Sequence, residues 1–181
     1  NYLEKKEFLN SIKIYKKILN NNNNYMVYYN IGSLLQYLGK ERQAYFYLKK
    51  AIEINPNDKS VLWNLSLCFL KLGNLNQGFK LYENRWYKKE PEKKKFTQIK
   101  RVENINEIIN KKILIWDEQG LGDTIQFSRF VINLLKYTKK ITLVVNSKLK
   151  DLISLIHKDI VVEDYNSLNS QDYEYQIPLC S

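Results

Sequence analysis

The sequence predicts an α-helical repeat array over residues 1–87 followed by half of a doubly wound α/β sheet over residues 111–181, with a basic linker at 88–110 between them. Three observations carry this. A set of apolar and small residues recurs at a spacing of 34, the hydrophobic period changes from helical to alternating strand and helix after Lys111, and a tight glycine loop separates the first buried apolar run from the helix pattern behind it.

Composition sets the limits. At 181 residues and 21.7 kDa, with 44% hydrophobic residues and only six Gly and three Pro, the chain can bury a sizeable core and is neither disordered nor collagen-like. The longest apolar stretches, near Val61 to Leu72 and Ile141 to Val145, are interrupted or fall short of the ~20 residues that span a bilayer, so no transmembrane segment is expected. Cys68 and Cys180 lie far apart without CxxC spacing, which gives neither a metal knuckle nor a disulfide framework and fits a reduced, cytoplasmic chain. No His pair or carboxylate cluster has ligand spacing, so no metal and no cofactor is expected, and His157 reads as a residue near a helix end. The net charge of +10 points toward an anionic partner, yet it is almost all Lys, with Arg only at 42, 85, 101 and 129. Scattered Lys is a solvated face more often than a base reader, so the composition argues against nucleic acid as the partner. The start, Asn1-Tyr2-Leu3-Glu4, has neither an initiator Met nor a signal profile, and the expectation is a fragment of a longer protein.

Within the array, Tyr28-Tyr29-Asn30-Ile31-Gly32 is followed by Leu35, Gly39, Ala44, Leu48, Ala51 and Pro56, and one period later stand Leu62-Trp63-Asn64-Leu65-Ser66, Phe69, Gly73, Gly78 and Tyr82. Small residues at Gly32, Ala44, Ala51 and Gly78 allow two antiparallel helices to approach closely. Gly39 and Gly73 end the first helix of each pair, and Pro56 falls where a second helix must stop. The segment Glu7 to Leu19 reads as a second helix whose partner is absent, and Asn20 to Asn24 as a turn.

This pattern resembles the tetratricopeptide repeat, with a half-repeat at 1–24 and repeats at 25–58 and 59–87; Ser66 and Gly78 stand where the family more often has Gly and Ala. The resemblance implies a concave groove lined by first helices, placing Tyr29, Asn30, Ser33, Tyr37, Trp63, Asn64, Leu67 and Lys71 toward a bound protein or peptide. Asn30 and Asn64 are one period apart. A carboxamide can donate and accept at once, so the pair either grips a peptide main chain or simply holds the helices together. Past Trp86, Lys88, Lys89, Lys93, Lys94, Lys95, Lys100 and Arg101 outnumber Glu90 and Glu92, which suits a solvated hinge or a contact for phosphate or an acidic partner.

From Lys111 the elements expected are a strand at Ile113 to Trp116, a loop at Gly120-Leu121-Gly122, a helix at Asp123 to Lys139, a strand at Ile141 to Val145, a helix at Ser147 to His157, a strand at Ile160 to Val162 and a last strand within Tyr173 to Leu179. A glycine loop between strand and helix presents backbone amides and a positive helix end at the ligand edge of such a sheet. It is not a dinucleotide fingerprint, since Ile125 replaces the third glycine and Asn146, not an acid, ends the second strand; nor is there a GK[ST] for ATP.

The longer string Trp116-Asp117-Glu118-Gln119-Gly120-Leu121-Gly122-Asp123-Thr124-Ile125-Gln126-Phe127-Ser128-Arg129-Phe130 resembles the EQGLGDTIQFxR signature of bacterial proteins that join tetratricopeptide repeats to a glycosyltransferase domain related to the heptosyltransferases of glycosyltransferase family 9. Gly78 to Trp86 is similar to that family's GWxLYEWRW boundary and Tyr173 to Ser181 to its FDxxxPLxSLP strand, while the family's Trp-x-Gly in the linker is missing. The resemblance implies the N-terminal, Rossmann-like half of a GT-B fold, with a nucleotide sugar held mainly by a C-terminal half beyond this chain. It makes Asp123 the candidate general base, with Glu118, Gln119, Gly120, Leu121, Gly122 and Gln126 near the acceptor. Asp123 is equally a residue type that starts helices. The functional expectation is a tetratricopeptide glycosyltransferase whose helical part binds proteins, against a non-catalytic scaffold that works through the groove, with a basic nucleic-acid or membrane-surface adaptor as the third reading.

Overall fold

Five helices form where the 34-residue period places them. In the computed structural model, which describes residues 2–20, 23–87, 95–169 and 172–181, these are α1 (Tyr2–Leu19), α2 (Tyr25–Tyr37), α3 (Glu41–Ile54), α4 (Lys59–Lys71) and α5 (Leu75–Tyr82). Local chemistry fixes their ends. Asn24 accepts the Met26 N–H at 2.8 Å to start α2, Asp58 accepts those of Ser60 and Val61 at 2.9 and 3.0 Å to start α4, and Asn74 accepts that of Gln77 to start α5. Gly39 and Gly73 leave α2 and α4 with φ of +70° and +84°, the left-handed turn that a side chain resists.

Two other glycines set helix spacing. A β-carbon on Gly32 would stand 2.6 Å from Leu48 Cγ, and one on Gly78 would stand 2.5 Å from Leu70 Cδ2. Ile31, Ala44, Leu48, Ala51, Val61 and Cys68 are fully buried around the first of these approaches. After α5 a 3-10 turn, Glu83–Tyr87, buries Arg85 between the rings of Tyr82 and Trp86, with Glu83 and the Tyr82 carbonyl as acceptors at 2.9 and 3.2 Å.

Residues 1–89 and 90–181 form separate units. The second holds five parallel strands, β1 (Lys100–Arg101), β2 (Ile113–Trp116), β3 (Ile141–Val145), β4 (Ile160–Asp164) and β5 (Tyr175–Pro178), in the order β1-β5-β2-β3-β4. All residues of β2 and β3 are buried, as expected of central parallel strands. The chain steps from β2 outward to β3 and β4, then returns to place β5 on the other side of β2.

Three expectations are corrected here. Residues 95–110 are not linker throughout: Ile99 and Ile108 are buried, β1 pairs with β5, and a 3-10 turn at Ile105–Ile108 is capped by Asn104 and Glu107. The basic positions 88, 89, 93 and 94 lie outside the described residues. The helix expected over 123–139 is α6 (Leu121–Ser128) followed by a 3-10 segment, Val131–Lys136. Ser128 Oγ takes the Ile125 carbonyl at 3.0 Å, the acceptor that the Arg129 N–H would need to continue an α-helix. Likewise 147–157 is a 3-10 turn, Ser147–Leu149, and the short α7 (Lys150–Ser154), where Ser154 Oγ bonds the Lys150 carbonyl.

Because Gly32 and Leu48 occupy one volume, Gly32→Ala should destabilise the helical unit by about 1–3 kcal/mol. In a Leu48→Ala background the same substitution should cost much less, which urea unfolding of the four chains followed by circular dichroism would measure.

Candidate functional site

The first helices of successive pairs, α2 and α4, carry the groove residues, and the structure separates them by availability. Asn64 is buried, and its Nδ2 donates to Ser33 Oγ at 2.8 Å. Gln36 lies alongside and donates from Nε2 to the Asn64 carbonyl at 2.8 Å and to Cys68 Sγ at 3.2 Å. Asn64 therefore ties α4 to α2. Asn30, half-buried, makes no side-chain hydrogen bond among the described residues. Tyr37 is 65% exposed, with its ring edge on Phe8 at 4.7 Å, while Tyr29 and Trp63 are half-buried. Lys71 is drawn to Glu41 at 2.7 Å. The ladder of two asparagines is thus one open carboxamide and one structural one.

Cys68, beneath this surface, is fully buried, and its thiol is pushed up to about 11, first by burial and then by the Glu41 carboxylate. It is a packing residue at neutral pH.

In the second unit the loop after β2 is built from Asp117 onward. Gly120 starts α6 with φ −73°, so Gly122 and Asp123 fall inside the first turn. Asp123 is exposed, and its carboxylate accepts the Gly120 N–H at 3.3 Å; it closes the turn from the third helical position and is not itself the N-cap. Leu121, Gln119 and Gln126 are exposed beside it. Glu118 turns the other way, accepting the Cys180 N–H at 3.2 Å and tying the loop to the end of β5. A β-carbon on Gly120 would make only ordinary contact, and one on Gly122 would meet open space.

The residue this loop hangs from was not singled out by the sequence. Asp117, 8% exposed, accepts the Asn146 N–H at 2.8 Å with Oδ2 and the Tyr165 hydroxyl with Oδ1, so one carboxylate joins the ends of β2, β3 and β4. Burial and the Asp117 carboxylate hold the Tyr165 phenol well above the ordinary tyrosine range. Its ring stacks with Phe96 at 6.2 Å and lies 3.4 Å beneath the Lys95 ammonium. The available signal was an acid directly after a fully apolar strand, where a buried charge needs partners. Beside α6, Ile115, Phe127, Phe130, Leu134, Ile177 and Leu179 line an apolar cavity of about 160 Å³.

With this geometry in view, residues 25–58 match the family profile of the tetratricopeptide repeat, which spans α2, α3 and the turn to α4. This segment is a tetratricopeptide repeat, and a protein-interaction role for the helical unit follows from it. No curated protein matches the chain. No helix among the described residues is long and apolar enough to cross a membrane, and no group of His, Cys, Asp and Glu among them could hold a metal ion.

Asn64→Ala should lower stability by about 1–3 kcal/mol, because Ser33 and the space around it are left unsatisfied, and Ser33→Ala added to it should cost little more by urea unfolding. Tyr165 should contribute a pH dependence of its own. A raised folded value gives stability that is present below pH about 10, where unfolded tyrosine ionises, and is lost as pH rises through the folded value. Tyr165→Phe should therefore flatten the fall in stability above pH 10, measured by urea midpoints across alkaline pH.

Proposed function

We propose that the helical unit is a docking module that holds an extended peptide segment of a protein partner across α2 and α4. The observation that carries this is the open Asn30 carboxamide on α2, a helix that also carries Tyr29 and Tyr37, with Trp63 on α4, the next first helix of the array. A carboxamide pairs with both the N–H and the C=O of a peptide, and the rings give its side chains apolar contact. Asn64 then acts by holding α4 in place, and Lys71, already paired with Glu41, contributes at most at the rim. Asn30→Ala should weaken capture of a native partner about tenfold without moving the unfolding midpoint, measured by titration of the partner found in pull-downs from source cells. Unchanged affinity would remove Asn30 from recognition.

A second reading, favoured by the two glycines of the β2–α6 loop, concerns the whole protein: the α/β unit as the acceptor half of an inverting GT-B glycosyltransferase of bacterial type. Gly120 serves as the N-cap of α6, a position that suits glycine, while Gly122 has neither a left-handed backbone nor a packed neighbour, which leaves room for a ligand to approach the loop there. The strand order, which reverses between β2 and β5, supports this reading, because doubly wound, Rossmann-like sheets bind ligands at such a reversal beyond the strand ends. In this reading a nucleotide sugar sits mainly on a C-terminal half. Asp123 takes the acceptor hydroxyl proton as that oxygen bonds to the anomeric carbon and the nucleotide leaves with its bonding pair, while Glu118 braces the loop. In the full-length protein Asp123→Asn, which keeps an acceptor for the Gly120 N–H, should lower nucleotide release from a responsive nucleotide sugar by roughly 10²-fold or more with folding intact. Equal turnover would leave Asp123 a helix-closing residue and favour the non-catalytic scaffold.

A further inference from the structure

We infer that the helical unit carries a second docking surface, formed by α1 and α3 on the second helices of the array, and that its occupant is an acidic segment of a partner protein in which a large apolar residue is flanked by Asp or Glu. Lys16 of α1 and Arg42, Gln43, Phe46 and Tyr47 of α3 surround a concavity of about 360 Å³, large enough for one or two side chains but not for a helix. None of these residues belongs to the groove on α2 and α4.

The apolar part is specific. The buried stripe of α3 runs through Ala44, Leu48 and Ala51, and Phe46 lies off it, 56% exposed, in a helix whose other aromatics are half-buried. A single exposed ring is ordinary on a surface, and this one matters because it walls the concavity beside Lys16 and Arg42. It stands edge-on to Tyr47 at 5.4 Å, and Tyr47 is held in turn by Tyr28 at 6.3 Å, so the wall of the site is fixed before anything binds.

The charge around it is uncompensated. Past Glu7, α1 carries Lys13, Lys16 and Lys17 and no acid. On α3 both acids are already used, Glu41 by Lys71 at 2.7 Å and Glu53 by Lys50 at 2.9 Å. Among the described residues neither Lys16 nor Arg42 has an ion-pair partner; Lys16 lies over the Tyr47 ring at 5.8 Å, and the Arg42 fork is exposed. Two free cations set about one aromatic wall match carboxylates placed about one apolar side chain. A nucleic-acid duplex would ask instead for a longer row of cations, and a bilayer for a broader apolar face.

The test is selection of displayed random dodecapeptides on the intact chain, with counter-selection on the same chain carrying Lys16→Glu and Arg42→Glu. The expected result is a set of peptides that the counter-selection removes, enriched in Phe, Leu, Ile or Trp next to Asp or Glu. A synthesised member should lose about tenfold or more in affinity on Arg42→Gln or Phe46→Ser, keep its affinity on Phe46→Leu and on Asn30→Ala, and bind more weakly as salt is raised. Circular dichroism of each variant confirms that these exposed substitutions leave the helices intact. The inference is overturned if the counter-selection removes no peptides, if those removed lack acidic residues, or if phosphatidylserine vesicles or a short DNA duplex bind more tightly than the peptide with the same dependence on Arg42 and Phe46.

Discussion

The geometry of the helical unit depends on two places where a side chain is missing. At Gly32 the backbone of α2 comes so near Leu48 that a single methyl group would overlap it, and at Gly78 the backbone of α5 does the same against Leu70. Interiors are packed too tightly to absorb such an overlap locally, so the approach fixes how far apart each helix pair stands. Between successive pairs the tie is polar: Asn64 reaches Ser33 at 2.8 Å, and Gln36 reaches both the Asn64 carbonyl and Cys68, which joins α4 to α2. The surfaces on either side of the array inherit the same spacing.

In the α/β unit the corresponding constraint is electrostatic. Parallel strands end with unsatisfied groups, and the ends of β2, β3 and β4 here converge on one carboxylate. Asp117 accepts from the Asn146 backbone and from Tyr165, and a buried acid with that coordination resists movement because losing either partner leaves charge unsolvated. Glu118, the next residue, reaches across to the backbone of Cys180. The β2–α6 loop is therefore pinned on both sides of its origin, to β3 and β4 through Asp117 and to the end of β5 through Glu118. The stretch from Gln119 to Gly122 is exposed and is held locally, through the bonds that Gly120 makes with Asp123 and Thr124 at the start of α6.

The helices and strands whose burial is repetitive were legible in the sequence. Gly39, Gly73 and the run Ile113 to Trp116 announce their elements by residue type alone, since a left-handed turn admits few residues and a run of four apolar side chains has few places to go. Illegible were the elements decided by partners distant in sequence. β1 is two residues in a charged stretch and exists because β5 lies beside it. α6 ends where the Ser128 hydroxyl meets the Ile125 carbonyl, a choice of partner that residue type does not announce. In the candidate sites, Asn30 and Asn64 look equivalent at a period of 34, and only the position of Ser33 distinguishes the open amide from the engaged one.

The glycines sharpen the argument about what is structural and what is not. Of the six in the chain, Gly39 and Gly73 are demanded by φ, and Gly32 and Gly78 by contact. Gly120 is the N-cap of α6, where glycine is among the suited residues, and Gly122 satisfies neither condition, since nothing beyond its own helix turn packs within 4 Å of a β-carbon built there. Glycine is a weaker helix former than alanine, so at position 122, with no neighbour and no φ that asks for it, it adds nothing to the stability of α6. Bare backbone beside a rigidly held strand end leaves the start of α6 open to solvent. The carboxylate of Asp123 closes this turn whether or not it also removes a proton, so its place in the loop has a structural reason of its own.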